Sequence, residues 1–118
     1  MLFLPTSSTT YERPPDPLTP KEYAQKMVTE RWDSSQWKHF DDLIGRESGW
    51  GVYEHHYPQS KKSSAMGLCG FLNQAWEDTG FIKTNNPYVQ VDACIVYIQQ
   101  KYKTPERALS FHKLKGWF

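Results

Sequence analysis

Apolar side chains recur at helical spacing in five stretches of the chain, and most of these stretches carry their own start or stop signal. Thr19-Pro20-Lys21-Glu22 offers an N-cap, a proline at the first helical position and a capping-box glutamate. The helix it opens shows an apolar face of Tyr23, Met27 and Ala24 and ends near Arg31. Asp33 or Ser34 caps a second helix, which carries Trp37, Phe40, Ile44 and Glu47. Leu68, Phe71, Leu72, Ala75 and Trp76 mark a third, stopped at Gly80. Asn86-Pro87 opens the fourth, in which Tyr88, Val91, Ile95, Ile98 and Tyr102 recur with Cys94 and Tyr97 beside them. It is the most apolar stretch and is expected to be central. Thr104-Pro105 repeats the start signal for a fifth helix through Leu109 and Lys113, closed by Gly116. Between the second and third helices, residues 49–64 show little helical period and read as a long functional loop or small hairpin. Before the first, Pro5, Pro14, Pro15 and Pro17 among Ser and Thr make residues 1–18 an extended arm or linker. Residues 19–118 are then the folded domain.

One polar residue interrupts this pattern in an informative place. Phe40, Leu43, Ile44 and Glu47 fall at i, i+3, i+4 and i+7, so Glu47 continues an apolar stripe. Ser48-Gly49 stops the helix and leaves Glu47 in its last turn. Partial burial and the negative end of the helix dipole both disfavour a charge there. A carboxylic acid kept protonated near neutrality is what a general acid requires. The competing reading is a solvated glutamate at a fraying helix end.

Composition narrows the field. A chain of 118 residues builds one core. Fourteen basic and thirteen acidic residues give a net charge of +1, which carries no polyanion signature, so nucleic acid is not expected as a partner. No apolar run is long enough to cross a membrane. Met1-Leu2-Phe3-Leu4-Pro5 does not read as a signal peptide, because Pro5 breaks a short apolar run with no basic residue before it. Five Trp, seven Tyr and six Phe suit a groove for sugar rings as well as a core. Cys69 and Cys94 are too few for a disulfide scaffold and are expected as free, buried thiols, with a bond between the two as the alternative. The histidines do not show metal-ligand spacing: His55-His56 is an adjacent pair, and His39 and His112 stand apart. Lys61-Lys62-Ser63-Ser64 reads as a solvated run, with attraction to an acidic polymer as the alternative.

Four elements together resemble a known family. Glu47-Ser48-Gly49 is followed about twenty residues on by Ala65-Met66-Gly67-Leu68, then by Tyr97-Ile98-Gln99-Gln100-Lys101-Tyr102 and by Ala108-Leu109-Ser110-Phe111-His112 through Gly116-Trp117-Phe118. In that order and spacing they are similar to the lysozyme-like lytic transglycosylase domain, the type related to goose lysozyme. The likeness is greatest to short forms in phage tail and virion proteins and in secreted bacterial cell-wall enzymes. It runs from about Tyr23 to Phe118 and leaves the arm uncovered.

The resemblance implies a mainly α, α+β lysozyme-like fold of about five helices, with the long loop lining a cleft. It implies cleavage of the β-1,4 bond between N-acetylmuramic acid and N-acetylglucosamine in peptidoglycan, with Glu47 as acid and then base and no cofactor. It also implies substrate-binding positions at Ser48, Gly67, Leu68, Gly70, Tyr97, Phe111 and His112. Ser48 would hold the Glu47 carboxyl; the alternative is a serine that bonds the backbone at the helix end. Gly67 and Gly70 would let the backbone approach a ligand, or simply make a tight turn. Two residues depart from the pattern: Gly70 stands where most members have Gln, and Phe111 where relatives often have Tyr. Tyr97 is a candidate to supply the missing hydroxyl. Trp76 and Trp117 are expected to pack rather than stack on sugar. Residues 1–18 would meet other virion or wall proteins.

Glycosidases of the ordinary kind use two carboxylates, about 5–5.5 Å apart when retaining and 6.5–9.5 Å when inverting. Asp41 and Asp42 fall on other faces of the helix from Glu47, which leaves Glu54 as the second-carboxylate candidate. A hydrolytic muramidase on the same fold therefore stays open. So does a wall-binding or structural virion module without turnover, which the changes at Gly70 and Phe111 favour.

Overall fold

The computed structural model describes residues 17–51 and 65–118. The arm up to residue 16 lies outside them, as does the loop segment 52–64 with its expected hairpin, Glu54, His55, His56 and the Lys61-Lys62-Ser63-Ser64 run. Five helices make up the described residues: α1 (Pro20–Arg31), α2 (Ser34–Glu47), α3 (Asn73–Thr79), α4 (Pro87–Lys101) and α5 (Pro105–Lys115). No strand forms among them beyond an isolated antiparallel bridge between Met66 and Phe71. The protein is mainly α.

The helix starts follow from local chemistry. Thr19 and Glu22 exchange side-chain and backbone hydrogen bonds at 3.1 and 2.9 Å, which closes the capping box of α1. The Asp33 carboxylate accepts the Ser35 amide, and Asn86 accepts those of Tyr88 and Val89. Thr104 accepts the Arg107 amide at the head of α5. Each contact satisfies a donor that the helix itself leaves unpaired. In α1, Ala24 and Val28 are fully buried, and Tyr23 and Met27 flank them.

Helix α3 is shorter than its apolar spacing predicts. Gly67 and Gly70 have φ of +86° and +60°, which no helix accommodates, so Leu68 and Phe71 belong to a preceding turn. Leu68 and Phe71 are nevertheless buried there, which is why their apolar character mimicked a helix face.

Helix α4 buries seven residues, among them Val91, Cys94, Ile95 and Ile98. It packs against α1, α3 and α5, whereas α2 packs against α1 and α5. Phe40, Leu43 and Ile44 of α2 join the same core, each no more than 1% exposed. Gln36 in α2 accepts the Glu106 amide, and the Trp32 indole donates to the Lys103 carbonyl. These bonds fix α5 against the α1–α2 corner and carry His112 to the end of α2.

The cysteines are not free thiols. Cys69 in the 67–70 turn is bonded to Cys94 on α4, with Cα atoms 6.2 Å apart. That separation lies within the range a disulfide spans. The bond, invisible as a pattern, ties the turn to the core.

Candidate active site

Glu47 ends α2 at the floor of a cleft of about 320 Å³, within the size range of ligand sites. Its side chain is 15% exposed, as the apolar stripe predicts. Burial raises the carboxyl to about 7, so near neutrality a large fraction carries its proton. His112 lies beside it, with Nε2 3.0 Å from Oε2 and a side chain 14% exposed. Burial and then the Arg46 charge lower the imidazole, with Asp42 opposing. Both groups are thus held toward their neutral forms, which makes this contact a hydrogen bond rather than a salt bridge.

The tautomer follows from the surroundings. His112 Nδ1 is buried and finds no partner among the described residues. A neutral imidazole carries one N–H, and an acceptor faces it only at Nε2. Nε2–H therefore donates to Oε2, which leaves Oε1 as the oxygen free to carry the carboxyl proton. Removing that donor is expected to raise the Glu47 pKa further, because the donor favours the carboxylate. In a carbon NMR titration Glu47 should titrate near 7 in the parent. In His112→Phe it should titrate about one pH unit higher, the expected worth of one charged hydrogen bond.

Ser48 does not hold Glu47. Its hydroxyl donates to the Leu68 carbonyl at 2.7 Å and accepts the Trp50 amide. The Leu68 amide in turn donates to Gln90 Oε1 at 3.1 Å. The two peptide units that flank Leu68 are thereby gripped, one from the C-cap of α2 and the other from α4. Gly67 is required for this grip, since a Cβ there would sit 3.0 Å from the Gln90 side chain. Gly67 and buried Leu68 are parts of that clamp and do not line the cleft, whereas Gly70 does. Ser48, Gln90 and the disulfide together hold the 65–71 wall, from which Ala65, Cys69, Gly70 and Phe71 line the cleft with Glu47.

Phe71, Tyr97 and Phe118 line the apolar side of the cleft, joined by Leu72 at the N-cap of α3 and Ala75 within it. Tyr97 is not a spare hydroxyl: it donates to the Phe118 carbonyl and accepts from Lys101 Nζ at 2.9 Å. Phe111 stands outside the cleft and packs on Tyr102 and Trp117, with ring centres 5.3 and 4.9 Å apart. Trp76 packs as expected, edge-on to Phe71 and 3% exposed. Trp117 packs on Phe111 as well, but it is 53% exposed and lines the cleft.

Lys101, Gln74 and Asp78 also line the cleft, and sequence pattern singled out none of them. The signal was present for one, since Lys101 follows Tyr97 by four residues and so shares its helix face. Asp78 accepts from Gln74 at the same spacing on α3, which places a second carboxylate in the cleft. The Tyr102 hydroxyl is buried without a partner among the described residues.

The chain matches no protein-family model, no curated protein and no solved structure.

Proposed function

We propose that the protein is a peptidoglycan lytic transglycosylase with a lysozyme-like domain, in which Glu47 is the single acid and base. The observation that supports this most directly is a carboxyl raised to about 7 by burial at the floor of an aromatic-walled cleft. The glycan strand would lie in the cleft with the glycosidic oxygen against Glu47 Oε1. The carboxyl proton passes to that oxygen as the bond to the muramic C1 breaks. His112 Nε2–H steadies the carboxylate that results. Glu47 then takes the proton of the muramic C6 hydroxyl, whose oxygen closes on C1 to form the 1,6-anhydro ring. The proton balance closes on one residue, and no water is consumed.

A second reading has one specific observation in its favour. Asp78 lies in the same cleft as Glu47, and a second carboxylate is what a hydrolytic muramidase uses. Product analysis separates the two. Purified sacculi digested with the protein are expected to release muropeptides ending in 1,6-anhydromuramic acid, detected by mass spectrometry. Reducible muramic ends alone would replace this reading with the muramidase. Intact sacculi that bind the protein and release nothing would remove both.

The reading extends to place. Such an enzyme acts on the wall, from a phage virion or after secretion, and residues 1–18 would serve as its link to neighbouring proteins. The Cys69–Cys94 disulfide suits work in an oxidising compartment.

A further inference from the structure

Lys101 closes α4 as an exposed residue whose ammonium lies against three aromatic rings. Nζ donates to the Tyr97 hydroxyl at 2.9 Å and lies 5.2, 5.6 and 5.5 Å from the ring centres of Tyr97, Tyr102 and Trp117. No carboxylate reaches it among the described residues, where Asp41 pairs with Lys21, Asp42 with Arg46, and Glu47 meets His112. An ammonium has three donors, and the Tyr97 hydroxyl takes one of them. Fixing a lysine chain costs rotamer entropy, and contact with three rings offsets part of that cost before any ligand arrives. The result is a pre-ordered cation with donors to spare, in the wall of the cleft that holds Glu47.

What such a group recognises is an anion. The cleft has two carboxyls of its own, but Glu47 faces His112 and Asp78 accepts from Gln74 at 3.0 Å on α3. We propose that Lys101 is a subsite for a carboxylate carried by the glycan strand, so that the cleft selects acidic strands over neutral ones. This deepens the reading of the cleft as a peptidoglycan site and rests on it. The carboxylate has two sources in that polymer: the peptide stem, or the lactyl group of muramic acid once its stem is removed.

The test is binding, measured by Trp fluorescence in the non-cleaving Glu47→Gln protein, so that turnover does not enter. Three soluble strand preparations serve as probes: stem-bearing, stem-bearing with every carboxyl amidated, and stem-free with its lactyl carboxylates. At least one acidic strand should bind about tenfold tighter than the amidated one, the worth of one screened charged hydrogen bond. That gap should vanish in Lys101→Met, persist in Lys101→Arg and narrow as salt is raised. Whether stem-bearing or stem-free strands show it identifies the carboxylate. Equal affinity for acidic and amidated strands, or a gap that survives in Lys101→Met, would overturn the subsite and leave the glycan site standing. Failure of every strand to bind would remove the glycan reading and the subsite with it.

Discussion

Glu47→Gln should lower the release of muropeptides from sacculi by at least about a thousandfold. One positioned acid or base contributes roughly 10²–10⁴, and here a single residue is asked for both steps. The amide keeps the shape of the carboxyl and still accepts from His112 Nε2, so the fold is retained. Stability gives a second readout with a definite sign. The carboxyl sits near 7 when folded against its ordinary 4.5, so the folded state holds the proton more tightly. Stability of the parent therefore falls as pH rises between those values, and the loss is complete above about 7. Glu47→Gln carries no such group. By thermal unfolding it should melt above the parent at pH 8 and close to it at pH 4. Full activity in this variant would refute the assignment of Glu47. A melting difference that does not depend on pH would refute its burial as the cause of the raised carboxyl.

Cys69→Ser with Cys94→Ser should cost about 3 kcal/mol of stability. The bond closes a loop of 25 residues, and loop-closure entropy gives roughly that figure. Chemical denaturation should move to a lower midpoint, and the melting temperature should drop on the order of 10 °C. Either single substitution should cost nearly as much as both, because each alone breaks the same bond. Ser48 and Gln90 still grip Leu68 in these variants, so the 65–71 wall keeps its place at low temperature. Strand binding should then survive below the melting transition. If reduction left the midpoint unchanged, the disulfide would contribute nothing to the folded state under those conditions.

Much of this was readable from the chain alone, and for one reason. Helix caps and amphipathic faces are governed by contacts within four residues, so Thr19, Asp33, Asn86 and Thr104 announce their helices without help. The same short range makes Glu47 legible: the stripe through Phe40, Leu43 and Ile44 already carries it to the margin of the core. The start of α3 was misread because buried Leu68 and Phe71 look apolar whatever their backbone does, and left-handed glycines decided the matter.

Everything that builds the rest of the site is a long-range choice. Ser48 meets Leu68 across 20 residues, and Cys69 meets Cys94 across 25. Asp78, Lys101 and Trp117 come from three separate segments to line one cleft with Glu47. No local rule pairs such residues, since their meeting depends on how α4 and α5 pack on the remaining helices. The sequence by itself determined which helices form and that one acid lies on an apolar face. Only the tertiary structure decided what stands opposite that acid, because partners so far apart along the chain are selected by packing and not by spacing.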